Sequence, residues 1–481
     1  MTFGGKKYLW GNMPAFDVLK LAQNEGETYA QDLSLLFAAS GDLRNVIKTT
    51  TALPSTYDNT LSLTINDKDL DVVARNTILL LVAFLAPDVE AAVDCMLHVW
   101  YSAMITQAHR DLLEHTVRPY IAKVVDKISS KSGDSLQRKT WHFKQCIIHL
   151  TLPKNEWARL LTYVDGSSSV TAVDAQRKRK ATALAPERID HRDRRALALV
   201  PAHRVCLQRF REDGILLPFG YARDDFMVPN PTLFQAQEWP LKDSADPLDG
   251  WHLSELLKTK YGKADKDIYG KLYVSVRQVL SASMSKLYTH RHIFELYNLN
   301  ATELPNHCAE NTFARIEVSN IADVGYLGLG RTVGYLGPLL QRPQENLHAT
   351  LITLFMNAIG ETVSDSEQMR IVKAEMKQVL QYRPLTRTTL LYDGQSIMAS
   401  SARDLVRDVD KYFNQYMKKF GLHEVPQYLS MAMKDRHTVI EKWPLRLQLR
   451  PHQRGAKEEF ATLLSSAHTG NERYVEWKRI D

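Results

Sequence analysis

The sequence predicts an α/β fold: a Rossmann-like, mostly parallel sheet with flanking helices and helical insertions. Three observations carry this. First, Leu33–Ala38 is an almost unbroken apolar run closed by Ser40-Gly41-Asp42. A strand covered on both faces of a parallel sheet has that composition. Leu43, Val46 and Ile47 then recur at helical spacing. Second, Leu61–Ile65 repeats the pattern, ends at Asn66-Asp67, and leads into a helix through Leu85 with Asp69 as its N-cap. Third, two strand–helix units in tandem favour a right-handed parallel crossover.

The remaining elements follow in order. Pro87-Asp88 opens a helix with Val93, Met96, Leu97, Trp100, Met104 and Ile105 along one side, and helices are expected to about Leu161. Asp165–Arg195 is small and polar, then basic (Arg177–Lys180, Arg188–Arg195), and reads as a flexible loop or linker. It also contains Glu187, Asp190 and Asp193, which dilute its field and favour a solvated loop over a nuclear import signal. PFGYARDDFMVPNPTLF should be irregular but packed, and Trp251–Leu299 helical. Phe313–Asp323 and Leu347–Ala358 read as strands completing the sheet. Helices follow around Asp365–Leu380 and Ala402–Phe420, then an extended stretch and a helix over Gly455–Ser465. The expected organisation is an N-terminal Rossmann-like half with helical extension (1–162), a basic loop (163–200), and a C-terminal half completing the sheet (201–481).

Composition bounds the function. The 481 residues suggest two or three packed units, and 44% hydrophobic with 24% charged residues is a globular balance. A net charge of +6 is mild, with no dense basic face or aromatic platform obvious, so nucleic acid is not expected as a partner. No apolar stretch follows the first lysines, which argues against a secretory signal. The longest apolar run, Ile78–Pro87, is about half of the ~20 residues a membrane span needs and reads as a buried helix. Cys95, Cys146, Cys206 and Cys308 are scattered without a C-x-x-C pair, as in a reducing compartment. A cytoplasmic location is expected.

Two places invite a ligand. Ala39-Ser40-Gly41-Asp42 closes the first strand, where glycine admits close backbone approach and the helix start offers free N–H groups. Asn66-Asp67 closes the second, where an acid typically binds ribose hydroxyls. Together they describe an adenosine-type pocket; equally, Gly41 makes a tight turn and Asp67 caps a helix. Glu317–Gly337, with Ser319-Asn320, Tyr326 and Gly328-x-Gly330, reads better as a glycine turn before a helix than as a substrate loop. Trp10–Ala15 is a structural clamp on the terminus in preference to a lid over the pocket. His290-x-His292 and His307-Cys308 lack a third ligand, so no metal is expected, and no G-x-S-x-G elbow supports a serine hydrolase.

ASGDLRNVIKT, NDKDLDVVARN and WGNMPAFD resemble the N-terminal domain of dynein axonemal assembly factor 3, and still more a group of uncharacterised fungal proteins sharing that domain. The similarity continues through LHVWYSA, RFREDGILLPFGYARDDFMVPNPTLF, FARIEVSNIAD and HATLITLFMNA. The resemblance implies a fold like the S-adenosylmethionine-dependent methyltransferases. By position it puts Ala39, Ser40, Gly41 and Asp42 in the cofactor loop, Asn66 and Asp67 at the ribose, and Ser319, Asn320 and Asp323 near a transferred methyl. Phe37 stands where the usual methyltransferase loop has an acid, and Ala39 where it has its first glycine. These departures favour an assembly or interaction protein with a protein partner. The alternative is an active S-adenosylmethionine-dependent methyltransferase, and a third reading is a nucleotide-binding module without methyl chemistry.

Overall fold

The computed structural model describes residues 3–165, 170–385 and 393–481. It divides into two compact units, 1–187 with 202–303, and 188–201 with 304–481.

In the first unit, the expected apolar runs form β1 (Leu33–Phe37) and β2 (Leu61–Asn66), paired in parallel from Leu33↔Leu61 to Phe37↔Ile65. Two strands come from segments expected to be helical. The hairpin β3 (Leu136–Phe143) and β4 (Cys146–Pro153) buries Cys146, Ile148, Leu150 and Leu152 at a period of two. That alternation is the signature of a strand with one covered face. The third correction is β5 (His292–Tyr297), which lies parallel to both β2 and β4. The sheet order in this unit is β1-β2-β5-β4-β3, antiparallel only at the hairpin.

The helices of this unit include α1 (Arg44–Ala52), α2 (Leu70–Leu85), α3 (Val89–Tyr101), α4 (Ala172–Ala183) and α5 (Ile268–Thr289). Asp69 caps α2 as expected, its carboxylate accepting from Asp71 N–H. Most of the apolar run ending at Pro87 is the second half of α2, buried as far as Ala83, and no helix among the described residues is long and apolar enough to cross a membrane.

The basic stretch is a further correction, apart from residues 166–169, which lie outside the described residues. Thr171 caps α4, and 189–197 is also helical. Ala, Gln, Arg and Lys are strong helix formers, so net basicity did not prevent a helix. Burial of Arg179 against the carbonyls of Phe210 and Arg211 anchors it.

The strands of the second unit are β6 (Arg315–Glu317), β7 (Thr350–Phe355), β8 (Met431–Met433) and β9 (Arg473–Arg479). Their order is β8-β9-β7-β6. The two expected strands pair in parallel, though β6 is much shorter than Phe313–Asp323. β9, not anticipated, runs antiparallel to β7. Helices α6 (Asp365–Tyr382), α7 (Val409–Lys419) and α8 (Ala456–Ser465) belong to this unit. The stretch before α8, expected to be extended, is irregular.

Candidate functional site

β1 ends at Phe37, and the chain then turns through Ala38–Gly41 into α1. Gly41 takes φ +55°, a left-handed conformation that glycine adopts without strain. The turn is tied to the end of β2 by three bonds. Ser40 N–H donates to the Asn66 carbonyl at 2.9 Å, Gly41 N–H to Asp67 Oδ2 at 3.1 Å, and Asn66 Nδ2 to the Ala38 carbonyl at 2.8 Å.

Asn66 reaches a third strand as well. Its Nδ2 donates to the Leu299 carbonyl at 3.1 Å, and its Oδ1 accepts from Leu299 N–H at 3.1 Å. One amide side chain thus stitches together the carboxyl ends of β1, β2 and β5. Asp67 spends both oxygens on backbone, since Oδ1 accepts from Asp69 N–H at 2.9 Å. Burial pushes its carboxyl above the ordinary range, against the pull of the Asp69 and Gly41 N–H groups.

Asp42 is buried and fully engaged. Its Oδ2 accepts from Gly11 N–H at 2.7 Å and from Trp100 Nε1 at 3.3 Å, and its Oδ1 takes Arg44 Nη1 at 2.6 Å. Arg44 in turn donates through Nε to the Met13 carbonyl at 2.8 Å. These contacts belong to an N-terminal arm that zips along α1. Phe16 N–H meets Asn45 Oδ1 at 3.3 Å, and Val18 N–H meets Thr49 Oγ1 at 3.0 Å. Trp10 sinks among Tyr101, Phe210 and Trp239, its Nε1 donating to the Trp100 carbonyl at 2.8 Å. Trp10–Ala15 is therefore held as a clamp.

Gly41, Asp42, Leu9, Arg75, Asn76 and Trp100 surround a cavity of about 10 Å³, room for roughly one water. Arg75 is completely buried, with Nη2 on the carbonyls of Val99 (3.2 Å) and Trp100 (2.7 Å), and desolvation lowers its pKa to about 10. Arg44, Arg75 and Trp100 escaped sequence reasoning as members of this cluster, whereas Gly11 lies within Trp10–Ala15, the segment read as a clamp in preference to a lid.

Ala39, Ser40, Gly41, Asp42, Asn66 and Asp67 share this place, whereas Ser319, Asn320 and Asp323 belong to the second unit. Ser319 follows β6 with φ +51°, and its N–H donates to Glu317 Oε1 at 2.7 Å. Asp323 is wholly buried; its Oδ2 accepts from the N–H groups of Met356 (3.0 Å) and Asn357 (3.3 Å) and from Asn357 Nδ2 (3.1 Å). Its Oδ1 has no hydrogen-bond partner among the described residues, and burial raises the carboxyl pKa to about 6. Gly328, at φ +81°, is the N-cap of a helix over Leu329–Leu336, so the glycines here serve a turn. Among the described residues no group of three or more His, Cys, Asp or Glu side chains is disposed to hold a metal ion.

Of the groups expected to receive an adenosine cofactor, Gly41, Asp42, Asn66 and Asp67 are bonded to protein. Gly41 N–H and both Asp67 oxygens hold each other and Asp69, and the arm fills the space over Asp42.

A family profile described as a domain of unknown function (DUF4470) matches residues 9–105, the segment that contains the arm, β1, β2 and the turn between them. Dynein axonemal assembly factor 3 of Danio rerio is 31% identical over 131 residues, which is 26% of this chain and 26% of that protein. The chain thus spans about a quarter of the length of the curated relative it matches. No solved structure matches.

Proposed function

We propose that this chain is a cytoplasmic assembly or interaction protein on a methyltransferase-like frame, in the manner of dynein axonemal assembly factor 3. The similarity to that factor supports the role. The observation that carries it is the contact of Gly11 N–H with Asp42 at 2.7 Å, over a cavity of about 10 Å³. The chain's own arm sits where a turnover site would need open space, so the Rossmann-like end serves as a braced surface. The frame keeps the turn and the acid of a nucleotide fold but directs both inward.

The test is a thermal melt of the purified chain with millimolar S-adenosylmethionine or S-adenosylhomocysteine. No shift is the expected result. A ligand at a hundred times its dissociation constant stabilises by about 2.7 kcal/mol. A saturable shift of that size, abolished by D67A, would overturn this reading in favour of the methyltransferase. Recovery of a stable protein partner is the positive counterpart.

A further inference from the structure

Leu217–Arg223 forms a turn with a buried start and an exposed tip at 219–222, and hydrogen bonds brace it. Tyr221 N–H donates to the Pro218 carbonyl at 3.1 Å. Arg223 closes the turn from within: Nη1 donates to the carbonyls of Pro218 (3.1 Å) and Tyr221 (3.0 Å), and Nη2 to that of Leu217 (3.1 Å). Asp213 anchors the same guanidinium through Nε at 2.7 Å. Phe219 N–H is fixed on the buried Asp267 carboxylate at 2.6 Å. All this order serves two side chains left in solvent, Phe219 at 40% and Tyr221 at 50% exposure. Aromatic side chains on a preorganised turn lose little freedom when a partner covers them, which is how interface anchors are built.

Beside the turn runs a lysine-rich segment, 258–266, that leads into Asp267. Lys260, Lys263 and Lys266 are exposed, and Asp265, the acid among them, is taken by Lys271 at 3.0 Å. Tyr261 joins the two features: partial burial raises its hydroxyl pKa, with Tyr221 and Asp267 adding to the effect. The aromatic faces are not open platforms. Arg209 covers the Phe219 ring at 4.5 Å, and Tyr221 meets Tyr273 edge-on at 6.1 Å. A ring already covered offers little for a nucleobase to stack on. Exposed Asp224 and Asp225, just after the turn, repel a continuous phosphate backbone. Separate carboxylates on a peptide can avoid those two acids and still reach the lysines.

We propose that this surface docks an acidic peptide segment of a protein partner, carboxylates on Lys260, Lys263 and Lys266 and an apolar residue against Phe219 and Tyr221. The proposal rests on the interaction role given above and names a seat for it.

The experiment is fluorescence anisotropy on the full chain. The probe is a labelled twelve-residue peptide repeating Glu-Glu-Trp-Glu, with a twelve-nucleotide single-stranded RNA and phosphatidylserine vesicles as competing probes. The peptide should bind, and K260E/K263E/K266E and F219A/Y221A should each weaken it at least about ten-fold. Both variants change exposed side chains, and an unaltered thermal melt confirms folding. K127E/K131E, on a distant part of the same sequence, should bind like the parent. An equal loss in that control overturns the proposal, as does tighter binding of RNA or vesicles through the same lysines. A partner recovered equally by parent and K260E/K263E/K266E also overturns this seat, while leaving the interaction role standing.

Discussion

At the scale of single residues, buried acids divide into those whose charge is matched and those whose charge is not. Asp42 faces Arg44, and removing either partner would strand the other in the interior; breaking such a pair costs about 3–5 kcal/mol. Asp323 is the opposite case: among the described residues three N–H donors reach one oxygen and none reaches the other. Its carboxyl pKa rises from 3.8 to about 6 on folding, so between those values the folded state binds the proton more tightly than the unfolded chain. This contribution is present in full below pH 3.8 and is lost as pH rises to about 6. The loss amounts to about 2–3 kcal/mol. The D323N variant should lack that segment of the stability–pH profile when urea unfolding is followed from pH 4 to pH 7; an unchanged slope would contradict the burial argument.

At the scale of elements, the arm and α1 behave as one piece. Gly11 is where the arm meets Arg44 most closely, because a Cβ there would stand 2.4 Å from Arg44 Nε and Nη1. Arg44 cannot retreat without giving up Asp42 and the Met13 carbonyl. The G11A variant should therefore lose about 1–3 kcal/mol. Its tryptophan emission should shift to the red as Trp10 leaves its aromatic neighbours, and unchanged emission with unchanged urea midpoint would refute the clamp.

β1, β2 and α2 were legible in the sequence because each announces itself locally, by an apolar run and a capping acid. β3, β4 and β5 were not. Their alternation is short, interrupted by Arg138, Lys139 and His142, and β5 becomes central only through pairing with strands far away in sequence. The site was half legible on the same logic. Gly41, Asn66 and Asp67 do gather at the strand ends, but nothing local said that their partners would be one another and the arm.

At the scale of the whole molecule, the arm is part of the core and not an appendage. Trp10, Met13, Ala15, Phe16, Val18 and Leu19 are all buried. Burying a large apolar side chain is worth about 1.5–3 kcal/mol, so the set approaches the 5–15 kcal/mol that holds a typical domain together. A chain beginning at Gln23 should fail to unfold cooperatively and should bind a hydrophobic dye, as measured by calorimetry and ANS fluorescence. A cooperative melt close to that of the full chain would show the arm to be dispensable.

The arm also sets a schedule for synthesis. Ala15 N–H is matched by the Gly250 carbonyl at 2.8 Å, and Trp10 packs on Trp239. The ribosome makes Trp10 and Ala15 long before either partner. At roughly 5–20 residues per second the wait is on the order of ten to fifty seconds. Throughout it Trp10 lacks its Trp239 neighbour and Ala15 N–H its Gly250 acceptor, so this part of the core closes only after residues 239–250 have been made.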